Sequence, residues 1–574
     1  MKLWFRPAFL AILALLILSV PALFDLTRPG FYTSHDGETH AARIAMYSKA
    51  LTDFQLPPRF AQTFYNGLGS PIFVYIYPLP YLLGALIHFL GFGIADSFKI
   101  LMGASFIFSG IFTYLWLSYL LKSSKAGFLG ALFYMWSPYR FLLIYVRASI
   151  SEILAYTFVP LALYFLTRLI IERKLLFLPL SAFAIALILL SQNLVALIVM
   201  PIIGIYCILL AVINKSFKSL ILSLLAAVLG LLASAITYLP SIFERNYVHF
   251  DSTINQTYVN HFVTLAQLIK SPWGYGFDLP GTINDQLSFQ IGIAQLFVVA
   301  IALPLMILGL AKGRFLLKQK NVGNAGVALF FLIILLISAG LMIETPATIK
   351  IWQNIKAFSI IDIPWRFLGA IAISCAFLAA YVTKMIKPGL FLIFLVLLVL
   401  VANRNHLRIN QQRDLSDTFF NTYLGTGTQY NEFTPQWRQT ERVPEFFDPK
   451  QKAEITSGQG TIKIVNQNSK AVTLDLKLNT SSKILIHKFY FPGATLLING
   501  KVYRAFKDYE ISNPGSNDLN NQQDKSGLPR LNLPKGNYLI TYSYGETQLR
   551  LFADLITALT LILLAALTAL YAKR

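Results

Sequence analysis

Long, uniformly apolar runs recur from residue 8 to residue 571, and most are separated by short turns rich in lysine and arginine. Runs that are apolar on every face, and long enough to cross about 30 Å at 1.5 Å per residue, predict helices that bury themselves in a bilayer. The predicted spans are 8–24, 97–121, 126–143, 153–171, 175–192, 195–213, 219–239, 289–311, 325–343, 366–384, 388–402 and 550–571. The first follows a basic start (Lys2, Arg6) but lacks a small-x-small cleavage site before Asp25, so it reads as a retained span. The run 71–92 contains Pro78 and Pro80, and counting it as a span would put the later basic loops on the wrong side. It reads as a proline-broken helix at the outer interface.

The pattern changes at about 403. From there to 549 the apolar content collapses, and TIKIVNQ, KAVTLDLKLN, KILIHKFYF, ATLLING and GNYLITYSY alternate between turn signals such as Asn499-Gly500. These predict strands of a β-sandwich. The stretch Asn513 to Gly527 has no pattern and reads as a flexible excursion. The expected organisation is therefore an all-α polytopic membrane protein of about twelve helices, made of a membrane part (1–402), a β-rich region (403–549), and a last span with its tail (550–574).

Composition agrees with this solvent. Of 574 residues, 56% are hydrophobic and only 13% charged, against about 25% charged in soluble domains. The formal net charge of +21 lies largely in short loops, where the positive-inside rule reads it as topology and not as a nucleic-acid surface. It puts both termini inside, with outer segments at 25–96, 144–152, 240–288 and 344–365 facing the same side as the β-rich region. The two cysteines, Cys207 and Cys375, sit in apolar runs, and the seven histidines form no metal motif. No glycine-rich phosphate loop or nucleophile elbow occurs, and the short inner loops leave no room for a nucleotide-driven engine.

Candidate chemistry gathers in the outer segments. In FYTSHDGETHAARIAMYSKAL, Asp36, His40 and Arg43 stand at i, i+4 and i+7, so a helix starting near Ser34 would project all three from one face, with Glu38 off that face. The plain alternative is a capped interfacial helix with solvated charges. In SPYRFLLIYVRASISEILAY, Arg140, Arg147 and Glu152 lie close to the hydrocarbon, where charges are costly unless paired or useful. Arg140 fits snorkelling, whereas Glu152 needs a partner such as Arg147 or a substrate group. Asn193, within Ser191-Gln-Asn193, and Arg366, within Asp362-Ile-Pro-Trp-Arg366, could line the same cavity or serve as helix glue and interfacial anchor. The Trp273-Gly-Tyr275-Gly276 run could form a flap over it.

A first span followed at once by an acidic outer loop, and a second outer loop with arginine and an acid, resembles the type C (GT-C) glycosyltransferases. More narrowly, SHDGETHAARI, SPYRFLLIYVRASISEILAY, IDIPWRFLGA and FYFPGATLLINGK resemble bacterial membrane proteins labelled 6-pyruvoyl-tetrahydropterin synthase-related, a name without pterin chemistry here. The resemblance implies an enzyme of the bacterial inner membrane that moves a sugar from a polyprenyl-phosphate donor to a glycan, lipid or protein acceptor on the outer face. It assigns catalytic roles to Asp36, to Glu38 as second choice, and to Glu152, with His40, Arg43, Arg147, Asn193 and Arg366 binding substrate. Oligosaccharyltransferases carry an Asp-x-Asp/Glu metal pair in the second loop, but residue 150 is Ile, so a divalent metal stays possible without a ligand motif to support it. A transporter or flippase would place ionisable groups at mid-span, where this chain has almost none. A non-catalytic envelope-assembly protein would not need so many spans.

Overall fold

The computed structural model describes residues 2–253, 257–279, 285–311, 325–386, 389–428, 431–438, 448–503 and 527–573, with 2–6, 253 and 310 as backbone alone. The predicted basic loop 312–320 and the 513–527 excursion, apart from Gly527, fall outside these residues.

Among the described residues, seven helices are long and apolar enough to cross a membrane: Pro7–Thr27, Ile94–Leu121, Ile150–Glu172, Asn193–Ile213, Ala325–Met342, Pro364–Met385 and Gln548–Ala572. Phe217–Leu232 and Ala235–Phe243 qualify together as an eighth, bent by 72°. The remaining predicted spans are shorter helices, among them Phe177–Ser191, Ile293–Gly309 and Leu390–His406. The predicted span 126–143 is interrupted in the structure. Its helix stops at Met135, and Pro138 opens a separate turn, Pro138–Phe141, because proline lacks the N–H that would continue the ladder. The run 71–92 is likewise broken into Ile72–Tyr75 and Leu79–Phe89.

The helices that carry Glu152 and Arg366 form the centre. Within the protein, 72% of the spanning stretch of Ile150–Glu172 and 94% of that of Pro364–Met385 are buried, against 17% for Gln548–Ala572. Small residues allow the close approaches: a Cβ at Gly84 would lie 2.6 Å from Ile44, so Leu79–Phe89 packs tightly on the first-loop helix Gly37–Thr52.

Ten strands are described. β1 (Phe31–Tyr32) pairs antiparallel with β2 (Gln412–Arg413), tying the first loop to the start of the polar C-terminal segment. The others are β3 (Ala453–Ser457), β4 (Gly460–Gln467), β5 (Ala471–Leu478), β6 (Ser482–Ile486), β7 (Thr495–Ile498), β8 (Lys501–Val502), β9 (Arg530–Leu533) and β10 (Gly536–Ser543). They form a five-stranded sheet, β4-β5-β10-β7-β8, and a three-stranded sheet, β3-β6-β9. Alternate residues such as Leu474, Leu476 and Ile540 from the first sheet and Ile484, Ile486 and Leu531 from the second share one apolar core. All five predicted strand segments carry strands, whereas β1, β2, β3, β8 and β9 were not anticipated. The β-sheet region is joined to the loops below it: Phe489 N–H donates to Leu68 O at 3.0 Å, and Phe489 and Phe491 belong to the core of the helical part.

Candidate functional site

The first and second loops are joined through main chain before any charge is considered. His35 N–H donates to Val146 O at 3.0 Å and Asp36 N–H to Arg147 O at 2.9 Å. Residue 37 must be glycine for this approach, since a Cβ there would stand 2.4 Å from Ser34 Oγ and 2.9 Å from the Ala148 Cβ. Arg147 follows a single π turn, Leu142–Val146, and its N–H closes on Leu142 O at 2.9 Å; such turns redirect a chain within a helical context. Ala148 then adopts a left-handed φ of 52°, and the helix Ile150–Glu172 begins with Glu152 in its first turn.

Side chains converge on Arg147. Its Nη2 lies 3.2 Å from Asp36 Oδ2, and its Nη1 donates to Glu152 Oε1. Glu152 Oε2 accepts from the Tyr139 hydroxyl at 2.9 Å, and Arg366 Nε stands 3.6 Å from Glu152 Oε1. Arg366 Nη1 in turn pairs with Asp362 Oδ1 at 2.8 Å. Exposure separates the two carboxylates: the Glu152 side chain is 1% exposed and that of Asp36 is 33% exposed. Glu152 is therefore a buried counter-charge that holds Arg147, and a buried carboxylate persists ionised only when so compensated. Asp36 is the carboxylate that a solute can reach. Its side chain makes no capping hydrogen bond to the following helix, which leaves it free for Arg147.

Further residues enclose the cluster. The Arg147 guanidinium lies 5.2 Å from the centre of the Trp365 ring, a cation–π arrangement. Trp365 Nε1–H donates to Asp278 Oδ2 at 2.8 Å, and His261 Nδ1 lies 2.5 Å from the same oxygen. His35 Nε2 meets Tyr275 O at 3.2 Å, and its ring stacks on Phe277 with centroids 4.4 Å apart. Burial pushes the Asp362 carboxyl up to about 6, although Arg366 and Arg147 pull the other way. Asp362 also holds φ 61°, ψ −37°, a strained backbone for a non-glycine residue. Burial opposes ionisation of Asp278 too, but the hydrogen bond and charge of His261 hold it below the usual carboxylate range. Burial depresses the His35 imidazole despite the adjacent Asp36 carboxylate.

The other residues singled out from sequence lie elsewhere. His40 and Arg43 do not share a solvent-facing site with Asp36: His40 Nδ1 lies 3.0 Å from the Tyr81 hydroxyl, and Arg43 donates from Nη1 to the same hydroxyl at 2.8 Å and from Nε to Gly427 O at 3.1 Å. Both are buried, because the helix Leu79–Phe89 and the 427 loop cover that face. Glu38 pairs with Arg413 on the second strand of the β1–β2 pair, away from Arg147. Asn193 opens the helix Asn193–Ile213 behind the Gln192 cap, and among the described residues no hydrogen bond joins it to the cluster. Arg140 does not snorkel: it is 1% exposed, under the Tyr134 ring. Tyr139, His35, His261 and Asp278 were missed. The aromatic–glycine run ending at Phe277-Asp278 was the available signal for the last of these.

Among the described residues no three His, Cys, Asp or Glu side chains cluster so as to hold a metal ion. With Asp36 and Glu152 both turned to a guanidinium, this donor set does not fit a tightly held divalent cation.

No family model matches the chain. An uncharacterized protein of Lactococcus lactis subsp. cremoris is 26% identical over 208 residues, which cover 36% of this chain and 34% of the relative. Among solved structures, that of the arabinofuranosyltransferase AftD from Mycobacteria overlaps 70% of this chain and 27% of its own length, at 12% identity and a TM-score of 0.42. The matches therefore span about a third of the relative's length and about a quarter of the solved structure's, 34% and 27%, and the structural overlap is too loose to assign an activity.

Proposed function

We propose that the chain is a membrane glycosyltransferase of the GT-C type, moving a sugar from a polyprenyl-phosphate carrier to an envelope acceptor. The observation that carries this reading is the meeting of Asp36 and Glu152, from separate segments, on one arginine with a second arginine alongside. Asp36, the reachable carboxylate, takes the proton from an acceptor hydroxyl or amine. The acceptor oxygen or nitrogen forms its bond to the anomeric carbon as the bond from that carbon to the phosphate oxygen breaks. The electron pair leaves on the lipid phosphate, and Arg147 and Arg366 stabilise it. One displacement inverts the anomeric centre. No nucleotide takes part, because the activated bond is in the donor. Glu152 keeps both guanidiniums charged and in place and does not itself transfer a proton. In this reading the shorter apolar helices complete the bundle, the termini face the cytoplasm, and the 403–549 region lies outside as an acceptor-side domain.

The test is transfer of labelled sugar from a polyprenyl-phosphate donor in membranes that contain the chain or its Asp36→Asn variant. Loss of transfer with unchanged protein level and folding supports the assignment. Undiminished transfer by the variant removes Asp36 from its role, and no transfer by the parent chain with any such donor removes the reaction.

A further inference from the structure

The aromatic loop 273–278 touches the cluster at two points that the proposed chemistry does not itself require. At one point Tyr275 and Phe277 hold the ring of His35, the residue before the reachable carboxylate. At the other, Asp278 holds Trp365, whose indole face carries the Arg147 guanidinium. The same Asp278 oxygen receives His261, so one carboxylate ties together the segment after Thr257–Asn260, the aromatic loop and the turn Pro364–Phe367. The loop is itself shaped to present this carboxylate: Gln286 N–H donates to Phe277 O at 3.0 Å, and Gly274 lets Gln286 O approach to where a Cβ would lie only 2.2 Å away. Trp365 is 2% exposed, so its N–H needs a partner and its ring has one position.

We infer that Asp278, hydrogen-bonded to His261, is a positioning residue that sets Arg147 for the lipid phosphate by fixing the Trp365 ring beneath it. The inference rests on the phosphate-binding role proposed above for Arg147. The guanidinium has its edge fixed by carboxylates and its face fixed by the indole; without Asp278 the face is free, and Arg147 follows Glu152 and Asp36 alone. His261 acts through Asp278. What it supplies is an Nδ1–H donor, which an asparagine amide at 261 reproduces and an alanine does not.

The experiment uses the full chain in lipid nanodiscs, with farnesyl phosphate as the probe and hydrogen–deuterium exchange as a second readout. Asp278→Ala and Trp365→Ala are expected to weaken farnesyl phosphate binding about tenfold to a hundredfold, the range for losing a charged hydrogen bond in a buried site. His261→Asn is expected to stay within about threefold of the parent, and His261→Ala to fall with Asp278→Ala. In exchange, Asp278→Ala should expose 363–367 together with 273–279 while leaving 150–160 protected. Failure of the parent chain to bind farnesyl phosphate would sink the glycosyltransferase reading and leave the exchange arm to decide the positioning claim. Unchanged protection at 363–367 in Asp278→Ala, unchanged affinity in that variant, or a loss in His261→Asn equal to that in His261→Ala would each overturn the claim. Should Asp278→Ala fold poorly, Asp278→Asn, which keeps the shape and one acceptor oxygen, is expected to show the same pattern at smaller amplitude.

Discussion

Two arginines of similar burial, Arg43 in the first-loop helix and Arg147 in the second loop bonded to its start, are each 8% or less exposed. Arg43 is satisfied by neutral partners, the Tyr81 hydroxyl and the Gly427 carbonyl, that belong to the packing of a helix and a loop. Arg147 is satisfied by two carboxylates from different segments, one of them reachable by a solute. A neutral hydrogen-bond cage fastens a structure, whereas a solvent-reachable carboxylate on a guanidinium can be exchanged for another anion. Burial of an arginine is thus no mark of a site; the partners decide.

The comparison can be broken most sharply at Asp36. Asp36→Asn is expected to lower transfer by about 10²- to 10⁴-fold, the span for loss of a general base, with thermal stability unchanged; equal rates would return Asp36 to the same class as His40. Next comes Glu152→Gln, which leaves Arg147 and Arg366 without their shared buried counter-charge. It is expected to cost about 3–5 kcal/mol, read as a lowered unfolding temperature in detergent.

Asp362 should give the cluster a pH dependence of its own. Its carboxyl is raised to about 6 from 3.8, so the contribution is full below pH 3.8 and is lost as pH rises toward about 6. Stability measured from pH 4 to pH 7 should fall more in the parent than in Asp362→Asn, and parallel curves would contradict the assignment. Tyr81→Phe, which strips the shared hydroxyl from His40 and Arg43, is expected to cost about 1–3 kcal/mol of stability with the rate per folded molecule preserved. The smallest effect belongs to Glu38→Gln. Its ion pair with Arg413 is partly exposed, at 26% and 44%, and is expected to contribute under about 1 kcal/mol; a large loss of transfer would move Glu38 into the site.

Much of this was legible in the chain itself, for identifiable reasons. Apolar runs exposed their helices because nearest-neighbour composition decides which solvent a segment prefers, and alternation exposed five strands because the side-chain period of two is local. The predicted span 126–143 parted from the structure at Pro138, where a backbone break interrupts a run whose composition stays apolar. At the site, a costly carboxylate beside an arginine pointed to Glu152 and Arg147. The i, i+4, i+7 rule put Asp36, His40 and Arg43 on one face but could not show that Tyr81 covers two of them.

The sequence by itself determined the solvent of each segment, the turns that end it, and the short list of charges too costly to be idle. Only the tertiary structure decided which of those charges meet. Glu38 finds a partner 375 residues away, and Asp36 one 111 residues away. Asp278 enters the cluster through a tryptophan 87 residues on. Pairings over such separations follow from how helices and loops pack together, and no local period encodes them.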